Sequence, residues 1–144
     1  MTSLLDTLKR IARREQKSRE NEINEIDELT RSPWSASDWR DYYLERAGIR
    51  QFDGCYPREI ADRLAWRETA NRWWHEHGSR VAAPSCAGCG VIIASADSIP
   101  LPHGQRVHDA DCMVLFGRRW LAEAAAALEG MGIPTPREYL PGAP

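Results

Sequence analysis

Four residues limit what this chain can fold into more than any others do. Cys86, Cys89, His108 and Cys112 fall in the pattern C-x2-C-x18-H-x3-C. Two residues between the first cysteines let a tight turn aim both sulfurs at one point, with Gly88 and Gly90 relaxing the backbone there. Three residues between His108 and Cys112 make an i, i+4 pair that shares one helix face. A set of three thiolates and one imidazole is what tetrahedral Zn2+ accepts. The 18 residues between the pairs suffice for a β-hairpin that carries the chain back. Knuckle, hairpin, then helix start is the order of a treble-clef zinc finger. Four protein ligands leave no open position, so the expected zinc is structural.

Other chemistries fit the same residues less well. A redox Cys-x-x-Cys sits at a helix start within a βαβ unit, whereas here Gly90 and the β-branched run Val91-Ile92-Ile93 follow. A zinc deaminase needs H-x-E and P-C-x-x-C, but the chain has Pro84-Ser85-Cys86 and His75-Glu76-His77. An HNH-type nuclease needs a further Asn-x-x-x-His, and neither asparagine nor histidine follows His108. Three cysteines and a histidine serving only as core residues is the plain alternative, and the paired spacings weigh against it. His103, in the Pro102-His103-Gly104 turn, is the rival for the fourth ligand, at a spacing that fits a loop ligand. His75 and His77 read as surface or helix-end residues, and Cys55 as a free thiol.

The rest of the chain predicts helices. Leu4, Leu5, Leu8, Ile11 and Ala12 form a short apolar stripe that lapses from Arg13 to Glu22 and returns at Ile23, Ile26 and Leu29. Residues 1–31 are therefore expected as a charged helix, solvated or ordered on a partner. Ser35 and Asp38 make a capping box for a helix with Trp39, Tyr42, Tyr43 and Ala47 on its packing face. Asp53 and Gly54 turn the chain. Pro57 then suits the first turn of a helix that buries Ile60, Ala61, Leu64, Ala65, Trp73 and Trp74 before Gly78 stops it. The expected organisation is a charged arm over 1–31, an antiparallel helix pair over 35–78, a zinc finger over 82–133 and a loose proline-rich tail over 134–144. The finger should hold extended pieces at Val91–Ile93 and near Gln105–Val107, then a helix from Asp109 ended by Gly130 and Gly132. The fold class is α+β, mainly α.

Composition adds exclusions. No apolar run reaches membrane-spanning length, and no secretory leader pattern opens the chain, so a cytoplasmic protein with no membrane association is expected. Four cysteines in such a setting argue for metal before disulfides. The net charge of −2 hides local blocks. Lys9, Arg10, Arg13, Arg14, Lys17 and Arg19 face only Asp6 and Glu15, while Glu20, Glu22, Glu25, Asp27 and Glu28 follow against Arg31.

Two stretches carry a resemblance. ERAGIRQFDGCYPREIADRLAW, Glu45 to Trp66, resembles a helix-turn-helix-like hairpin of the form ERA-I-EFDGG-(L)-PR-EA. It is found in uncharacterised small proteins of proteobacterial phage, plasmid and integrated-element regions, and also beside replication and primase-type proteins. The run from CAGCG to HDADC, then Arg118-Arg119-Trp120 and an alanine-rich helix ending in EGMGI, looks like the C-terminal finger of the same proteins. Cys55 and Tyr56 stand where that group has a glycine and an apolar residue. The resemblance implies a bacterial mobile-element setting and a zinc finger; it carries no activity.

No nucleophile, base and orienting group can be assembled by spacing, so a non-enzymatic protein is expected. One class is an accessory or regulatory factor acting on DNA, with Lys9, Arg10, Arg13, Arg14 and Lys17 as a phosphate-contacting arm and Arg118 and Arg119 beside the finger. Against it, Arg80 to Gly130 holds four basic residues and five acids, which is not the balance of a phosphate-gripping finger. The other class is a protein-protein adaptor, docking a partner or a second copy through the N-terminal helix and the finger.

Overall fold

A computed structural model describes residue 6 and residues 9–19, 33–140 and 142 of the chain. The expected apolar stripes at Leu4, Leu5 and Leu8 and at Ile23, Ile26 and Leu29, and the acidic block from Glu20 to Glu28, lie outside the described residues. The chain divides into two compact units, Met1–Trp34 and Ser35–Pro144. In the first, residues 9–19 form helix α1, and every position of it is exposed. Among the described residues no helix is long and apolar enough to cross a membrane.

The second unit is mainly helical with a small antiparallel sheet. Helix α2 spans Ala36–Phe52 and opens on the anticipated capping box, with the Ser35 N–H donating to Asp38 Oδ2 at 2.7 Å and the Asp38 N–H to Ser35 Oγ at 3.3 Å. It buries Trp39 and Ala47. Helix α3 spans Arg58–His77, so Pro57 is its N-cap rather than a residue of its first turn. It packs against both α2 and the last helix, α4, Ala110–Gly130. Its buried side is Ala61, Ala65, Trp66, Thr69, Ala70 and Trp74, with the Thr69 hydroxyl donating to the Ala65 carbonyl at 2.8 Å. Trp66 and the three alanines are fully enclosed. Small side chains beside one large ring let neighbouring helices approach closely.

The sheet pairs β1, Ile99–Pro100, with β2, Arg106–Val107, around a 3-10 turn at Pro102–Gly104. Its register sets Ile99 opposite Val107 and Pro100 opposite Arg106. Val91–Ile93, for which the sequence predicts a strand, makes one isolated bridge from Ile92 to Ser85. Its backbone is engaged elsewhere: the Val91 carbonyl accepts from the Cys86 N–H at 2.8 Å, and the Ile92 carbonyl faces His108 Nε2 at 3.3 Å.

The two halves of this unit are joined by polar ties as well as by packing. Arg80 donates to the Trp74 and His75 carbonyls at 2.9 and 2.8 Å, satisfying the open end of α3, and lies over the Trp74 ring. Glu123 of α4 accepts from the Ser79 N–H and hydroxyl, both at 2.8 Å. The buried Gln105 accepts from the Val81 N–H at 3.0 Å. The segment after Pro134, for which proline content predicts looseness, is exposed or half-buried up to Leu140 but is held to the rest of the unit at Tyr139. Arg137–Tyr139 is a 3-10 turn, and the Tyr139 ring stacks on Trp66 at 4.8 Å and 17°.

Candidate metal centre

The knuckle is built from backbone hydrogen bonds around Cys86. Its N–H reaches the Val91 carbonyl, its carbonyl accepts from the Gly90 N–H at 2.9 Å, and its sulfur accepts from the Gly88 N–H at 3.3 Å. Gly90 takes φ +80°, a left-handed turn that a side chain would resist. Gly88 has a different reason to lack a side chain. A Cβ there would collide with the Cys112 carbonyl oxygen, because the knuckle lies directly on the first turn of α4.

The α4 start supplies the other pair. Asp109 is the N-cap, its carboxylate accepting from the Cys112 N–H at 2.9 Å. That contact and the neighbouring backbone N–H groups hold its carboxyl below the usual range. His108, just before the cap, turns Nδ1 toward the sulfurs, 3.5 Å from Cys89 Sγ and 3.7 Å from Cys112 Sγ. Its Nε2 meets the Ile92 carbonyl, the type of outer partner that fixes the tautomer of a metal-binding histidine.

Cys86, Cys89, His108 and Cys112 therefore bring four donor atoms together, all within 4.8 Å of one another, and could hold a metal ion. Cys86 and Cys112 are buried, His108 is half-buried and Cys89 faces solvent. A tetrahedron with metal–sulfur bonds of about 2.3 Å and a metal–nitrogen bond of about 2.0 Å has sulfur–nitrogen edges of about 3.5 Å. The two observed sulfur–nitrogen separations match that edge.

Electrostatics make the same point from the protein side. Burial opposes ionisation of Cys86, but the backbone N–H groups of Cys89, His108 and Gly88 outweigh it and bring the thiol down to about 6. Cys112 is pushed up to about 12 by burial and by the Cys86 and Cys89 sulfurs beside it. Cys86 and Cys112 are thus pushed in opposite directions, and a divalent ion among the sulfurs would favour the thiolate form of both.

The rival ligand lies elsewhere. His103, at φ +60°, sets its Nε2 2.9 Å from His75 Nδ1 and packs edge-on to Trp74. The ring centroids are 5.1 Å apart, nearly the nitrogen separation plus a ring radius at each end. The two imidazoles thus point at each other as a hydrogen-bonded pair and do not converge on a third point. His77 lies edge-on to Trp39 at 6.0 Å.

Lys9, Arg10, Arg13, Arg14 and Lys17 are exposed along α1, and Arg118 and Arg119 are exposed on α4. Arg119 lies 6.0 Å from the Phe116 ring centroid. Cys55 is exposed at φ +55°. Sequence reasoning did not find the contact of Gly88 with Cys112, the carbonyl partner of His108 or the His75–His103 pair. The first two are backbone features with no residue-type signature, and the third joins residues remote in sequence. No family model matches the chain, and none of the curated proteins or solved structures compared with it does.

Proposed function

We infer that the chain is a non-enzymatic binding protein built around a structural Zn2+ held by Cys86, Cys89, His108 and Cys112 in a treble-clef-like finger. Its task, on this reading, is accessory or regulatory contact with DNA in the bacterial mobile-element setting that the resemblance implies. Zinc is favoured over oxygen-seeking ions such as Ca2+ and Mg2+ by the three-sulfur, one-nitrogen donor set. With all four positions taken by protein, the ion would fix geometry and leave no site for a reacting water.

The observation that carries the DNA reading is α1. Lys9, Arg10, Arg13, Arg14 and Lys17 all sit on a helix whose described positions are exposed without exception. A basic helix of that kind suits phosphate contact and counterion release. The second reading, a protein-protein adaptor, is favoured by exposed apolar side chains on the finger: Val91 and Ile92 after the knuckle, and Val114 and Leu115 beside Cys112.

Fluorescence anisotropy of the zinc-loaded chain against single- and double-stranded DNA, across a salt series, separates the two. Phosphate contact predicts that log K falls linearly with log salt, by about 0.9 per phosphate neutralised on duplex DNA. A variant with Lys9, Arg10, Arg13, Arg14 and Lys17 all changed to serine should then lose most of that slope. No binding at low salt would transfer the proposal to the adaptor reading. Native mass spectrometry should show one zinc per chain, absent from Cys112→Ser; metal retained in that variant would overturn the ligand set.

A further inference from the structure

Arg106 of β2 carries its charge without a counter-ion. It is half-buried, and among the described residues it has no ion-pair partner. Asp97, in the loop before β1, is exposed and is not paired with it. A guanidinium stays protonated in any protein setting, so the positive charge here is permanent. Its backbone is held as well. The Arg106 carbonyl accepts from the Ala87 N–H at 2.8 Å, and the residue pairs with Pro100 in the sheet. Ser98 grips one edge of the guanidinium, its hydroxyl accepting from Nε at 2.5 Å and its carbonyl from Nη2 at 2.7 Å. The end edge, Nη1 with the second proton of Nη2, has no acceptor among the described residues.

Arg106 also lines a hollow of about 250 Å³. Ala83, Pro84, Ile93 and Ala96 give it apolar walls, and Ser95 and Ser98 give it hydroxyls. Both hydroxyls already serve as acceptors, Ser95 from the Asp97 N–H at 3.1 Å and Ser98 from Arg106. Each therefore keeps its own proton to donate. The polar side chains that line the hollow thus offer hydrogen-bond donors and one positive charge, and no negative charge.

We propose that this hollow is a binding site for a carboxylate carried on a short apolar body. A carboxylate matches the free edge of the guanidinium in the two-bond, fork-to-fork geometry. One fixed positive charge suits a monoanion, where a phosphate dianion would call for a second. The apolar walls suit an alkyl group beside the charge. The volume lies below the roughly 300–1,000 Å³ of pockets for drug-sized ligands, so the enclosed part of the ligand is small. Two sources carry this chemistry: a free short-chain acid, and the C-terminus of a peptide ending in a small apolar residue. The site shares no residue with the four metal donors, and the proposal does not depend on what the chain contacts through α1.

Amide NMR titration of the zinc-loaded full chain with isovalerate tests it. A range of about 0.1–20 mM brackets a Kd on the order of 1 mM, as expected for about seven heavy atoms. Shifts should saturate at residues 95–98 and at Arg106, and the neutral isovaleramide should leave those amides unmoved. An acetylated tripeptide ending in valine separates the two sources. Tighter binding than isovalerate assigns the peptide C-terminus, and weaker binding assigns the free acid. Arg106→Gln should abolish the shifts. Should that variant lose the amide dispersion of the folded chain, Ser95→Ala decides, because Ser95 is an exposed loop residue. It should weaken isovalerate binding about tenfold, the loss of one hydrogen bond to a charged group. An absence of saturable shifts overturns the proposal, as do shifts shared by isovaleramide or an affinity unchanged in Ser95→Ala. Inorganic phosphate binding more tightly than isovalerate at the same amides overturns it too.

Discussion

Gly88 shows how much a single missing side chain can decide. Its α-carbon rests on the Cys112 backbone, and a methyl group there would force the knuckle away from α4 and spread the four donors. Gly88→Ala should therefore weaken metal affinity by about 10- to 100-fold, the range seen when a supporting contact of a metal ligand is lost. Competition against a chromophoric chelator measures this, and an unchanged affinity would show that the knuckle can shift without cost. The two histidines call for opposite outcomes. His108→Ala should lose most of the affinity, while His103→Ala should keep it and change the pH dependence of stability. His103 is held below its ordinary value of 6.5, first by lost hydration and then by Arg80 and His75. The fold thus favours its neutral form, so its contribution is complete above 6.5 and is lost as pH falls through its own lower value. Around His103 lie the His75 ring, the Trp74 ring and the Arg80 guanidinium. The thermal midpoint of the wild type should fall more steeply on acidification than that of His103→Ala. Equal slopes would mean that the pair does not couple to folding.

At the scale of elements, the helix starts were the most legible part of the chain. Ser35 with Asp38 and Asp109 before Cys112 carry their capping chemistry in the residue types themselves, and both caps form. Asp109→Ala should cost about 1 kcal/mol. The ligand pairs were legible for a related reason, since i, i+3 and i, i+4 spacings report short-range geometry directly. Strand pairing was not: Val91–Ile93 has the composition of a strand, but its carbonyls serve Cys86 and His108. The tail was illegible too, because one tyrosine among prolines gives no periodic signal. Tyr139 stacks on the enclosed Trp66 and sits 5.6 Å from the Arg67 guanidinium. Tyr139→Ala should lower stability by about 0.5–1.5 kcal/mol beyond the apolar area it uncovers. A midpoint unchanged in chemical denaturation would show that the 3-10 turn docks without contributing.

Across the unit Ser35–Pro144, two of the four candidate metal ligands, Cys86 and Cys112, are also core residues. Trp74, Cys86, Ala87, Val107, Cys112 and Phe116 form one buried cluster, with Trp73, Val81, Ile93, Ile99, Leu101, Met113 and Trp120 packed around it. Two of the four ligands are inside that cluster, and so is the last part of α3. If the helix pair over 35–78 and the finger over 82–133 were independent units, metal loss would spare the pair. The packing argues for a different boundary, because Trp74 meets Phe116 at 5.4 Å and shares its cluster with Cys86 and Cys112. Structural zinc contributes an apparent 10–16 kcal/mol in small fingers, roughly as much as the whole stability of a domain. If these four residues hold such an ion, as proposed, its removal should therefore cross the boundary into α3. The other end of α3 has its own support in Ala61, Ala65 and Trp66, none of which belongs to the ligand cluster. Hydrogen exchange before and after chelation should show protection lost over residues 85–116 and the Trp74 end of α3. Amides around 61–66 and the buried turns of α2 should keep measurable protection. Uniform loss across α2 and α3 would make the ion the centre of a single cooperative unit. Protection kept at Trp74 would mean that the aromatic cluster holds without the ion, and that the donors are organised by the core and not the reverse.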